Sequence, residues 1–67
     1  MREKNKQIVD KMQLKVGSVL KIINMANHPE MKNKIGNITA ITSDYTLQGT
    51  WGNYEVVPYV DKIRKIK

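Results

Sequence analysis

The chain has no cysteine, a single histidine and a single tryptophan, and no long apolar run anywhere in its 67 residues. Each of these shortages excludes something. Without cysteine there can be no disulfide staple and no thiolate zinc site, so a compact hydrophobic core is left as the only stabilising device, and the setting expected is a reducing, intracellular one. The N-terminal stretch "MREKNKQIVDKMQ" carries charges that no apolar segment follows. Neither a signal peptide nor a membrane span can be drawn from it, so a cytoplasmic protein with no membrane partner is expected. His28 precedes Pro29 in a polar stretch, and no cysteine or paired carboxylate offers it a catalytic partner. Asp10, Glu30, Asp44, Glu55 and Asp61 are scattered singly rather than clustered as a hard metal requires. "NKIGN" lacks the glycine spacing and the following Lys-Ser or Lys-Thr of a phosphate loop. No enzyme, cofactor, metal or small-molecule substrate is therefore expected, and a chain of this length, burying only about 60% of its unfolded surface, has no room for a deep active site.

What the chain does have is positive charge, and the charge is unevenly placed. Residues 1–15 hold Arg2, Lys4, Lys6, Lys11 and Lys15 against Glu3 and Asp10, and residues 61–67 hold Lys62, Arg64, Lys65 and Lys67 against Asp61. Between them Lys21, Lys32 and Lys34 are balanced by Glu30, Asp44 and Glu55, so the whole net charge of +6 sits at the two ends. Such an excess favours a polyanionic partner, although a charged face can also do no more than maintain solubility.

Residues 2–13 lack glycine, proline and strand patterning, and Ile8, Val9 and Met12 recur at about one helical turn, which predicts a short amphipathic helix. A helix this short is marginal alone, so its Ile8 and Met12 stripe should pack on the rest of the chain. Gly17 breaks the pattern, and short β-branched runs separated by turn residues follow, the mark of a small sandwich or barrel. "SVLKIIN" reads as a first strand with Leu20 and Ile22 on one face and Val19, Lys21 and Ile23 on the other; "ANHPEMKNK" is a polar loop. "IGNITAIT" is a second strand, "SDY" a turn, "TLQGTW" a third strand, "YEVV" a fourth ended by Pro58, and "DKIRKIK" a fifth. The expectation is one domain: a basic helical segment over 1–15 packed on a five-stranded barrel over 16–67. Asp61 should cap the turn before the last strand.

Gly52-Asn53 suits a two-residue hairpin loop that would set Trp51 opposite Tyr54 on one face. Period two puts that face with Leu47, Gly49 and Val56, so an aromatic pair capping the core is the favoured reading, and an exposed stacking platform the other.

From Ile8 onward the chain resembles a family of short phage and mobile-element proteins of unknown function whose barrel is similar to SH3 and KOW modules. The resemblance is carried by Gly17 and Met25 around "VGSVLKIINM", by Gly36, Ile38 and Ile41 as a G-x-V-x-x-I signal, by Trp51 and Asn53 as a W-D-N-G turn, and by Asp61 and Ile63 in "PYVDKI". Tyr54 stands where the family turn has glycine, and Asn33 where its loop often has one; asparagine tolerates the left-handed conformation. The resemblance implies an SH3-like fold and a bacterial-host setting, and it transfers no activity. It also implies pairing of the first and last strands, which would merge the two basic ends into one phosphate-binding patch of Lys4, Lys11, Lys15, Lys62, Arg64, Lys65 and Lys67. Nucleic acid is then the leading partner. The alternative is a host protein, with the chain acting as an anti-defence, anti-CRISPR-like inhibitor of an enzyme such as a defence nuclease; Met25, Met31, Trp51, Tyr54 and Tyr59 are the candidate protein-contact or stacking residues, and an exposed patch around Met25, Met31 and Tyr59 would mark that case.

Overall fold

The computed structural model describes residues 1–67 as one N-terminal helix, α1 (Arg2–Met12), followed by four short strands: β1 (Val19–Asn24), β2 (Ile35–Ile41), β3 (Leu47–Gly49) and β4 (Lys62–Lys65). A single 3-10 turn, Pro29–Met31, interrupts the loop between β1 and β2. The strands form one antiparallel sheet in the order β3-β2-β1-β4, so the first strand does pair with the last. No helix is long and apolar enough to cross a membrane.

The sheet is open and four-stranded, which corrects the expected five. Val56 makes only an isolated bridge, exchanging both backbone hydrogen bonds with Leu47 at 2.8 Å. The ladder cannot lengthen toward the C-terminus because Pro58, the next residue whose N–H would face β3, has none to give, and the Val57 N–H, on the other side, is donated to Asp61 Oδ2 at 2.9 Å. The "YEVV" segment is therefore held beside β3 at one point rather than as a strand.

The two-residue hairpin at Gly52-Asn53 is likewise not formed. Trp51 and Tyr54 exchange no backbone hydrogen bond, and Gly52, at φ 149, is far from the roughly +60° that the first residue of a Gly-led type II′ turn needs. Residues 50–55 instead make a wider loop in which Trp51 folds back over β3. Its six-membered ring lies where a side chain at Gly49 would stand, and its indole N–H donates to the Tyr54 carbonyl at 2.9 Å. Trp51 is 6% exposed and belongs to the core, whereas Tyr54 points outward. The core reading holds for the tryptophan, and the aromatic pair does not exist.

Alternation along β1 is as the residue pattern dictates. Leu20 and Ile22 are fully buried while Val19, Lys21 and Ile23 face outward, and Ile38, Leu47, Val56, Met25, Met31, Val9 and Leu14 complete the core with Trp51. Met25 and Met31 fill gaps in this small core, as flexible thioether chains do, so they form no exposed patch.

The helix packs through Asn5, Val9 and Met12 rather than through Ile8 and Met12. Asn5 is the unexpected member. It is 2% exposed, its Nδ2 donates to the Asp44 carbonyl at 3.1 Å, and its Oδ1 accepts the Tyr59 N–H at 3.0 Å, so one amide clasps the helix to two distant loops. No buried side-chain nitrogen or oxygen in the molecule lacks a partner.

The helix ends at Gln13, which caps it in the left-handed conformation at φ 56, ψ 45. A residue with a Cβ pays about 1 kcal/mol there that glycine does not. Gln13→Gly is expected to raise stability by about 0.5 to 1 kcal/mol in urea unfolding, since the turn's hydrogen bonds use only main-chain atoms. Asn33, at φ 70, meets the same requirement in the loop before β2, and asparagine is suited to it.

Candidate basic surface

The pairing of β1 with β4 decides where the terminal charges go. In register, Leu20 stands opposite Lys65, Lys21 opposite Arg64, Ile22 opposite Ile63 and Asn24 opposite Lys62. Since Leu20 and Ile22 point into the core, Lys21, Lys62 and Arg64 stand together on the outer face. Lys65, at the end of the sheet, donates from Nζ to the Gln13 carbonyl at 3.1 Å. A cation thus neutralises the negative end of the helix dipole and ties the helix end to the last strand.

The other basic residues divide. The main chain of Lys67 accepts the Val19 N–H at 2.7 Å, and the neighbouring Ser18 is bonded to Lys15 through its own N–H at 2.9 Å and its Oγ at 3.1 Å, so the chain end and the helix exit lie side by side. Lys11 is exposed in the last helical turn, next to this junction. Lys4 is not brought there: at 1.5 Å per residue it lies about 13 Å up the helix from Gln13. Lys21 is the residue that sequence reading passed over, because its charge was cancelled within the central segment; the signal that would have found it is its place between Val19 and Ile23 on the outward face of β1.

A shallow concavity of about 350 Å³ lies on this face, lined by Lys21, Ile35, Arg64, Lys65 and Ile66. Ile35 and Ile66 are 57% and 47% exposed, so the cations stand among apolar side chains. Low-dielectric walls of this kind focus the field of the charges they flank.

The molecule's ion pairs are Arg2–Glu3 at 3.1 Å, Lys6–Asp10 at 2.8 Å and the His28–Glu30 contact at 3.6 Å. Asp10, by hydrogen bond and by charge, holds the Lys6 ammonium above the usual lysine range. None of these pairs reaches the outer face of β1 and β4, where Lys21, Lys62 and Arg64 have no carboxylate partner.

The β3 edge and the loops beside it have a different character. Glu55 accepts from Thr46 Oγ1 at 2.6 Å and from Gln48 Nε2 at 3.1 Å, and these bonds, the hydroxyl's first, hold its carboxyl below the usual carboxylate range. Because the folded-state value is depressed, this support is present above the ordinary carboxylate pKa and is lost as pH falls through the lowered one. Tyr54 stacks on His28 with ring centroids 3.7 Å apart and planes at 19°, and this is the role of the single histidine. Asp61 accepts the Val57 N–H and, at 3.0 Å, the Ala26 N–H, capping the turn before β4 as expected and fastening the β1 exit to it. Of the protein-contact candidates, Tyr54 and Tyr59 are exposed and Met25, Met31 and Trp51 are buried. No protein-family model, curated protein or solved structure matches the chain.

Proposed function

We propose that the chain is a small non-enzymatic binding module that contacts nucleic-acid phosphates through the outer face of β1 and β4, with Lys21, Lys62 and Arg64 at its centre and Lys11, Lys15 and Lys67 beside it. The observation that carries this is the in-register pair of like charges, Lys21 opposite Arg64, flanked by Lys62 and left without a carboxylate. Like charges directly opposite one another destabilise a sheet, and a polyanion is the ligand that turns that cost into affinity. The occupied state of His28, Glu55 and Asp61, each already engaged by neighbours, supports a binding role over catalysis. We also read the helix and open sheet as a variant of an SH3-like barrel of phage or mobile-element type, acting in the cytoplasm of a bacterial host; the pairing of first and last strands supports that reading.

One observation favours a second reading. Ile35 and Ile66 are apolar and exposed on the same face, which suits an acidic host protein with an apolar anchor, as an anti-defence inhibitor would require.

The test is a salt titration by fluorescence anisotropy on labelled oligonucleotide. With about four phosphate contacts, the log of affinity should fall linearly with the log of salt at a slope of roughly −3 to −4, with weak sequence preference. Absence of binding at low salt, together with nuclease-resistant capture of a protein, would move the weight to the second reading.

A further inference from the structure

We infer that the nucleic acid taken by this face is a duplex, held by its backbone, and not a single strand. This rests on the phosphate-binding reading above. Modules that hold single strands pair a basic groove with aromatic side chains on which successive bases stack, each stack contributing about 1–3 kcal/mol. This chain has no phenylalanine, and none of its four larger aromatics lines the concavity of this face. Trp51 is in the core with its indole N–H occupied. Tyr54 is covered on one side by His28, beside the anionic Glu55. Tyr45 lies under Arg2 and Lys6, at 5.0 and 6.0 Å from its ring centre. Tyr59 is exposed, in the loop whose backbone Asn5 fastens to the helix, and is not among the residues that line the concavity.

What the outer face offers instead is cations at fixed strand spacing among aliphatic side chains. Lys62 and Arg64 are two residues apart on one strand, about 6.6 Å, and Lys21 stands directly across from Arg64. Such a row meets charge density, not base faces. A duplex presents one phosphate per about 1.7 Å of axis against about 3.4 Å for one strand, so a rigid face some 20 Å wide meets roughly twice the charge on a duplex. The molecule's extents of 27 × 23 × 18 Å set that width.

The experiment compares a labelled duplex of about 20 base pairs with each of its component strands, using the full chain at about 50 mM salt. At that salt one additional phosphate contact strengthens binding by roughly tenfold, so the duplex should bind at least about tenfold more tightly and show the steeper salt dependence. Lys21→Ala should lower the duplex slope by about one. A single strand bound as tightly as the duplex, or more so, would overturn the duplex assignment while leaving the phosphate-binding reading in place. Failure of both to bind would overturn the two together.

Discussion

Trp51→Ala is expected to remove most of the stability of the fold. The side chain is buried, fills the space above Gly49, and its indole N–H satisfies the Tyr54 carbonyl, so truncation opens a cavity and orphans an acceptor in one step. Large aromatic-to-alanine changes in a core cost about 3–5 kcal/mol, against a total stability of roughly 5 kcal/mol for a domain this small. The loss should also release the loop over residues 50–55, because the tryptophan is what folds it back over β3. Urea unfolding of Trp51→Ala and Trp51→Phe checks this: phenylalanine should recover part of the loss by filling volume, and not the part that belongs to the N–H. A variant that stays as stable as the parent would place Trp51 outside the core.

The second large effect separates stability from binding. Lys21→Glu converts a like-charged cross-strand pair into an opposite-charged one with Arg64, and is expected to raise stability by about 0.2–1 kcal/mol. The same change removes one phosphate contact and sets a negative charge in the middle of the face, so affinity for duplex DNA should fall by roughly a hundredfold at about 50 mM salt. Lys21→Ala with Arg64→Ala should weaken binding to a similar degree and lower the salt slope by about two, with folding changed by no more than about 0.5 kcal/mol. Anisotropy and unfolding midpoints measured on the same preparations decide it. Opposite signs for the two effects of one substitution are hard to produce by misfolding.

How much of this could be read from the residues depends on how far away each residue's partner is. The helix, the inward Leu20 and Ile22, and the capping role of Asp61 follow from local period and turn chemistry, and all are present. Pairing of the first and last strands, which the resemblance implied, sets the chain end beside the helix exit, as the Lys65 to Gln13 bond shows, while Lys4 lies apart from that junction. The hairpin at Gly52-Asn53 was misread because local turn preference competes with a non-local packing demand: the Trp51 ring needs the room above Gly49, and a two-residue turn would hold it away. Asn5 gives no local sign of its role, since its two partners lie 39 and 54 residues along the chain. Lys21 was hidden by summing charge along segments; counted by strand face, it joins Lys62 and Arg64 at once.

The same contrast of faces supplies the most direct test. In a 1H-15N correlation titration of the labelled protein with duplex DNA, shift changes should concentrate on Lys21, Ile35, Lys62, Arg64 and Ile66 and fade as salt is added, leaving His28, Tyr54 and Glu55 unmoved. Changes centred instead on Met1, His28, Tyr59 and Val60, with the outer face of β1 and β4 silent, would contradict the basic surface as the site.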